Sequence, residues 1–176
     1  GTAIVGKLLA MPSFDVNQSQ NDGVTPLFLA CSGEHPDIVR QLLGHQDIDV
    51  NVAETETGLT PLAHACNLGN LECVQLLAAD DRIDVNHTDK QGRTALFHGC
   101  STHSSSCNSY LDIVTALLSA NNIAIDTTDN KGVTPYGVAK ERSNRGNKYE
   151  RTKTKKMKKR FRKKSKLIAK MLRKKG

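Results

Sequence analysis

Apolar residues recur along this chain in short clusters whose spacing fits one face of a helix. The clearest cluster is Asp-Ile-Val-Arg-Gln-Leu-Leu at residues 37–43, where apolar side chains stand at positions i, i+1, i+4 and i+5. Similar clusters return at residues 72–77 and 112–118. A shorter apolar segment precedes each of them, with Leu27 in the first case and Leu62 in the second. The pattern predicts pairs of short helices in units of about 34 residues.

A glycine that is followed two residues later by threonine marks the start of each unit. The four glycines are Gly23, Gly58, Gly92 and Gly132, so successive units lie 35, 34 and 40 residues apart. Glycine adopts the positive φ of a tight turn, and threonine followed by proline begins a helix with a capping hydroxyl and a preset φ. Because two short helices cannot bury an apolar stripe alone, neighbouring units are expected to stack.

These motifs resemble those of the ankyrin-repeat family, whose unit is a helix–turn–helix with the signature Thr-Pro-Leu-His-x-Ala and an extended hairpin. The resemblance covers roughly residues 1–140 and implies an all-α ankyrin-repeat solenoid of stacked helix–turn–helix units with extended hairpin loops. Phe28, Ala63 and Phe97 replace the signature histidine. The hydrogen bond that this histidine makes near the threonine in the family is therefore expected to be absent.

The repeat register divides the chain into an ankyrin-repeat domain, residues 1–145, and a basic segment, residues 146–176. The expected parts of the domain are a partial unit at 1–19, whole units at about 20–53, 54–87 and 88–128, and the first helix of a last unit at 129–145. Residues 3–9 match a second helix, which predicts further repeats upstream in a longer parent protein. A polar insertion within 101–109 is expected between the two helices of the third whole unit.

Two interpretations of the basic segment stay open. Residues 167–172, Leu-Ile-Ala-Lys-Met-Leu, match a second helix that would complete the last unit after an insertion of about 20 residues. Alternatively, one long helix begins near residue 149, and its apolar side consists of Met157, Phe161, Ile168 and Leu172. Lys, Arg and Met favour a helix in both cases, although like charges repel one another.

Charge is divided sharply between the two parts of this 176-residue chain. Residues 1–139 hold 16 acidic and six basic residues, whereas residues 140–176 hold 19 basic and two acidic ones. No apolar run reaches the about 18–20 residues of a membrane-spanning helix, and residues 1–10 lack a signal-peptide pattern. Five cysteines, an odd number, lie among apolar runs and favour a reducing compartment. We therefore expect an intracellular protein, cytoplasmic, nuclear or both.

The repeat region carries no catalytic signature, and we expect a non-catalytic protein without a cofactor. One pattern resembles a zinc site, and its four possible ligands are His98, Cys100, His103 and Cys107. Cys100, however, occupies the same repeat position as Cys31 and Cys66, where a small buried side chain suits helix packing. Packing explains three cysteines at once, so we predict a structural role and no metal.

Asn17 and Asn51 each follow Asp-Val and lie eight residues after a leucine. This looks like the pattern that asparaginyl hydroxylases modify in ankyrin repeats, although Asn86 departs from the spacing. The simpler interpretation is that each asparagine forms hydrogen bonds with the hairpin backbone, and we favour it.

Stacked repeats leave a continuous concave face, and the family resemblance places partner contacts on the hairpin tips and the exposed first-helix positions. Carried over by position, the protein-binding candidates are Ser19, Asn21, Asp22, Val24, Thr55, Glu56, Thr57, Leu59, Thr88, Lys90, Gln91, Arg93, Asn130, Lys131 and Val133. The acidic body favours a basic or mixed protein partner. The expected function is that of a non-catalytic protein–protein interaction scaffold or adaptor.

The basic segment gives a second functional prediction. Residues 151–164 hold ten bases and no acid, which fits a nuclear import signal, a phosphate-backbone contact or an anionic membrane surface. The candidate residues are Lys155, Lys156, Lys158, Lys159, Arg160, Arg162, Lys163 and Lys164. The expected partners are a polyanion, an importin-like receptor or an acidic protein. The alternative function is therefore binding of nucleic acid or anionic membrane through residues 146–176.

Overall fold

The computed structural model describes residues 2–11, 13–101, 109–145, 166–167 and 170–173, and within these ranges it contains helices and turns but no strand. The helices are α1 (Thr2–Leu9), α2 (Pro26–Ser32), α3 (Pro36–Leu43), α4 (Pro61–Leu68), α5 (Leu71–Ala78), α6 (Ala95–Ser101), α7 (Ser109–Ser119) and α8 (Pro135–Arg145). The predicted all-α class is confirmed. In these parts of the chain, no helix is both long enough and apolar enough to cross a membrane.

The first helix of each unit begins at its predicted threonine. In α4 the Thr60 hydroxyl accepts a hydrogen bond from the Ala63 N–H at 3.3 Å, and Pro61 occupies the first helical position. The same hydrogen bond caps the other first helices, at Thr25, Thr94 and Thr134. Each such cap stabilises its helix by about 1 kcal/mol. The predicted helix starts are therefore confirmed.

The turn glycines adopt the backbone that the repeat pattern predicts. All four have φ between 74° and 78°. At Gly92 a β-carbon would also lie only 2.6 Å from Oδ1 of Asn130 and 3.2 Å from its backbone nitrogen. Backbone conformation and space both exclude a side chain at Gly92.

The helices stack in two rows. α2, α4, α6 and α8 contact one another in succession, and α1, α3, α5 and α7 form a second row behind them. Within each unit the first helix contacts its second helix. The core between the rows includes leucines that are at most 2 % exposed, among them Leu27, Leu62 and Leu96 from the first row and Leu42, Leu77 and Leu117 from the second. Each buried leucine contributes about 1.5–3 kcal/mol of hydrophobic stabilisation.

The end of the chain returns to the repeats. Residues 166–167 and 170–173 are helical, and Leu172 is 2 % exposed in the same core cluster as Ala139 of α8. Met171 packs against this cluster. Burial of Leu172 favours the interpretation in which the final residues supply the second helix of the last unit. Residues 102–108 and 146–165, with most of the predicted insertion and of the alternative long helix, lie outside the described residues.

Candidate protein-binding surface

Four hairpins, at residues 20–24, 54–59, 89–93 and 129–133, form what we call the hairpin row. A backbone hydrogen bond closes each of them; the Asp89 N–H, for example, donates to the Arg93 carbonyl at 3.0 Å. The first helices α2, α4, α6 and α8 begin two residues after the hairpins end. The hairpin row therefore lies at the N-terminal ends of the first helices, so that hairpins and helices border one surface.

Backbone hydrogen bonds join each hairpin of the row to the next. The pairs, donor first, are Thr55 and Asp22 at 2.7 Å, Lys90 and Thr57 at 2.9 Å, and Asn130 and Gln91 at 2.9 Å. The Asn130 side-chain amide adds a bond to the Lys90 carbonyl at 3.1 Å. Because the bonds run through backbone atoms, most side chains of the row are left to face solvent.

The structure places the predicted protein-binding residues along this row, with one correction. The exposed ones are Ser19, Asn21, Asp22, Thr55, Glu56, Thr57, Thr88, Lys90, Gln91, Asn130 and Lys131. Val24, Arg93 and Val133 are half-buried. Leu59 is only 8 % exposed and belongs to the core, so its side chain is not on the binding surface. An apolar side chain at this position packs inward, whereas Arg93 at the equivalent position pairs with a carboxylate.

A buried carboxylate holds the second hairpin in shape. Glu54 accepts hydrogen bonds from the N–H groups of Glu56 and Thr57, both at 2.7 Å, and from the Thr57 hydroxyl. The Leu59 N–H approaches the same carboxylate at 3.3 Å. Burial alone would raise the pKa of the Glu54 carboxyl, but these donors outweigh it and lower the pKa to about 2. The carboxylate therefore stays ionised at neutral pH and fixes the hairpin.

Asp89 plays the same part in the third hairpin. Its Oδ1 accepts the N–H groups of Gln91 and Arg93 at 2.8 and 2.9 Å, and its Oδ2 meets the Arg93 guanidinium at 2.7 Å. Nε2 of His98 lies 2.9 Å from the same oxygen. Burial would raise the pKa of Asp89, yet the hydrogen bonds from Arg93 and His98 lower it. Burial lowers the pKa of His98, so a neutral ring donates its Nε2–H to the carboxylate.

Helix α2 exposes one large apolar side chain, Leu29, that the sequence analysis missed. Leu29 of α2 is 48 % exposed, and beside it the ring of Phe28 stacks on His64 of α4 with 4.3 Å between centroids. The signal was the run Leu27-Phe28-Leu29, because three consecutive helical residues cannot all face one core. Phe28, at the signature histidine position, thus takes part in a stacking contact between two units.

Three asparagines join the loops that follow the second helices. Asn17 donates to the Asp47 carbonyl and accepts from the Asp49 N–H, both at 2.7 Å. Asn51 makes the equivalent pair of bonds, both at 2.8 Å, to the next unit. The favoured interpretation, hydrogen bonding to backbone, is confirmed for both. Asn86 does the same despite its different spacing.

The cysteines are packing residues in the described part of the chain. Cys31, Cys66 and Cys100 have no exposed surface and occupy equivalent places in α2, α4 and α6, as predicted. Burial raises the pKa of the Cys66 thiol, which disfavours the nucleophilic thiolate. Of the zinc-like set, His103 and Cys107 lie outside the described residues. Among the residues that are described, no three His, Cys, Asp or Glu side chains are placed to hold a metal ion.

The eight basic candidates for polyanion binding or nuclear import lie outside the described residues. They are Lys155, Lys156, Lys158, Lys159, Arg160, Arg162, Lys163 and Lys164. Their role stays a prediction from composition.

Paired short helices, stacked in two rows and joined by hydrogen-bonded hairpins, define a helical-repeat protein. A family model of three ankyrin repeats matches residues 1–89 and 47–129. The chain belongs to the ankyrin-repeat family, and the resemblance predicted above is confirmed. Ankyrin repeats are generally protein-interaction modules, and the family is typically non-catalytic. A search of curated proteins gives no match.

Proposed function

We propose that this protein is a non-catalytic adaptor or scaffold that binds a partner protein through the hairpin row and the adjoining face of the first helices. The observation that carries the proposal is the continuous set of backbone hydrogen bonds between hairpins, from Asp22 to Asn130, below exposed side chains. A surface fixed in this way loses little conformational entropy when a partner binds.

The buried carboxylates support the same function. Glu54 and Asp89 satisfy the N–H groups of their own hairpins before any partner arrives. The exposed side chains are therefore presented on a preorganised backbone, a feature that raises affinity without adding contacts.

We propose a separate role for the basic segment, residues 146–176. Its ten bases between residues 151 and 164 favour nuclear import or attachment to a polyanion, which would bring the bound partner to a particular place. The corresponding location is intracellular, in the cytoplasm, the nucleus or both. The alternative function, binding of nucleic acid or anionic membrane as the main activity, rests on this charge and makes the repeats a platform.

Affinity capture with three forms of the full chain separates these functions. The row variant carries Asn21→Arg, Glu56→Arg and Gln91→Arg, three exposed positions on successive hairpins. The tail variant replaces all eight basic candidates with glutamine. The matched control carries Asp81→Arg, at an exposed position on a loop outside the hairpin row. Captured proteins and binding to heparin are measured for each form at physiological salt.

We expect the row variant to lose the captured proteins by tenfold or more and to keep heparin binding. The tail variant should keep the captured proteins and lose heparin, while Asp81→Arg changes neither. Loss of captured proteins from the tail variant alone, with full capture by the row variant, would contradict the adaptor function and support the alternative. A fluorescent fusion of the tail variant that stays as nuclear as the wild type would contradict the import role.

A further inference from the structure

The exposed charge of the hairpin row changes sign along its length. Asp22 and Glu56 are exposed on the first two hairpins, which contain no basic residue. Lys90 and Lys131 are exposed on the last two. Nζ of Lys90 donates to the Thr55 carbonyl at 2.5 Å, which leaves two of its three N–H groups for a ligand. The row therefore has an acidic half and a basic half, and Lys90 lies at the boundary between them because its ammonium group reaches the second hairpin.

The other charged groups of the row do not blur this division. Glu54 and Asp89 are buried and accept hydrogen bonds from their own hairpins. Arg93 is half-buried and paired with Asp89 at 2.7 Å. Asp129 is half-buried and accepts the N–H groups of Lys131 and Val133 at 2.9 and 2.8 Å. The charge that a partner meets is thus set mainly by the exposed residues.

The outer hairpins of the two halves are far enough apart to act separately. Helices that pack side by side lie about 8–10 Å apart, so three steps separate the first hairpin from the fourth by about 25–30 Å. The Debye length at physiological ionic strength is about 8 Å. A ligand charge near Asp22 is therefore largely screened from Lys131, and each end of the row selects its own counter-charge.

The exposed leucine belongs to the acidic half. Leu29 lies on α2, directly after the first hairpin, and the neighbouring Phe28 ring is buried where it stacks on His64. In the basic half, the positions equivalent to Leu29 are His98 in α6, which is buried, and Val138 in α8, which is half-buried. The acidic half thus offers an apolar contact that the basic half offers to a smaller extent.

We infer that the hairpin row binds an extended segment of a partner protein with basic and apolar residues at one end and acidic residues at the other. This inference rests on the proposed function and specifies its ligand. A strand advances about 3.3 Å per residue, so about eight to nine residues separate the two charged ends. The basic end contacts Asp22 and Glu56, its apolar neighbour covers Leu29, and the acidic end contacts Lys90 and Lys131.

The basic segment of the chain itself is a poorer occupant. Residues 151–164 contain ten bases and no acid, so they would complement the acidic half and be repelled by Lys90 and Lys131. A separate partner with both signs of charge satisfies the whole row.

Selection from a displayed library of random 16-residue peptides tests the inference. The bait is the full chain in the tail-variant form, which reduces the capture of acidic peptides by the basic segment. The probe variants are Glu56→Lys and Lys131→Glu, whose own hydrogen bonds in the hairpins run through their backbone N–H groups. Asp81→Lys is the matched control, and thermal unfolding checks that all three variants fold.

We expect enrichment of peptides that carry a basic-apolar cluster and an acidic cluster about eight to nine residues apart. A selected peptide should bind Glu56→Lys and Lys131→Glu about tenfold more weakly, and Asp81→Lys unchanged. Exchanging the basic cluster of the peptide for glutamates should restore its binding to Glu56→Lys. Enriched peptides with one sign of charge, or with no charge pattern, would overturn the inference.

Failure of the inference and failure of the proposed function give different results. If peptides without this polarity bind and are lost in the row variant, the row is a protein-binding surface with another specificity. If the row variant binds every selected peptide as well as the unmodified row, both proposals are wrong. Displacement of a selected peptide by a synthetic peptide of residues 146–165 would instead identify the basic segment as the occupant of the hairpin row. It would overturn the inference that a separate partner protein binds there.

Discussion

Helices α1 and α5 carry the same apolar pattern and differ in burial. In α5, Val74 and Leu77 have no exposed surface, whereas in α1 the equivalent Val5 is half-buried and Leu8 is 38 % exposed. The reason is the set of neighbours: α5 packs against its own first helix α4 and against α3 and α7, while the main contact of α1 is α3. The sequence pattern encodes the helix and its apolar face. Stacking against neighbouring helices determines how much of that face is buried.

The largest effect on stability is expected from truncating the buried Leu77 side chain in α5. Leu77→Ala removes a fully buried side chain and should lower the free energy of unfolding by about 2–5 kcal/mol. Leu8→Ala, at the equivalent position of α1, should cost less than about 1 kcal/mol because that side chain is already partly hydrated. Urea unfolding of both variants measures the difference; equal losses would contradict the role given to stacking.

A smaller effect is expected at the asparagines that join units. Asn51→Ala leaves the Arg82 carbonyl and the Asp84 N–H without their partner, and should cost about 1–3 kcal/mol. Asn17→Ala should cost less, because it loosens only the connection of α1 and the loop after it. The control is Gln18→Ala, at an exposed neighbour. A larger loss of unfolding free energy in Asn17→Ala than in Asn51→Ala would contradict the expected difference between these two connections.

The helix caps should give a difference of about 1 kcal/mol. Thr60→Ala removes the hydroxyl that caps the central helix α4, whereas Thr60→Ser keeps it. We expect the alanine variant to unfold at lower urea concentration and the serine variant to stay close to wild type. Thr134→Ala, at the half-buried cap of the last unit, should cost less than Thr60→Ala. Equal behaviour of Ala and Ser at position 60 would show that the cap contributes nothing.

The smallest effect is a difference in sensitivity to acid. The pKa of Glu54 is lowered from 4.5 to about 2 in the folded state, so its stabilisation is present above pH 4.5 and is lost as the pH falls towards 2. The Glu54→Gln variant removes this dependence of stability on pH. Glutamine is also the residue at position 20, in the first hairpin. Wild type should therefore lose more stability than Glu54→Gln between pH 7 and pH 3 in urea titrations. Parallel losses would contradict the lowered pKa.

Much of the fold could be predicted because its signals are local. Gly92 and Thr60 act through their own turn and their own helix, and their chemistry can be read from two or three adjacent residues. The stripe in α5 has a spacing that only a helix satisfies. The repetition of these signals at intervals of 34 to 40 residues then indicated the stacked architecture.

The surface was harder to predict because exposure depends on neighbours. Leu59, two residues before α4, was expected on the binding face and is buried. Leu29, within α2, is half-exposed although it is also a leucine. The contact of His98 with Asp89 joins residues nine positions apart. Its signal in the sequence was that His98 directly follows Phe97, which stands at the signature histidine position. Such pairings follow from the packed units and not from the spacing alone.

Hydrogen–deuterium exchange of the full chain with and without a purified captured partner tests the central claim most directly. We predict slower exchange on binding in residues 20–24, 54–59, 89–93 and 129–133 and at the starts of α2 and α4, with little change in α5 and α7. Protection confined to residues 146–176, with unchanged exchange in the hairpin row, would contradict the account.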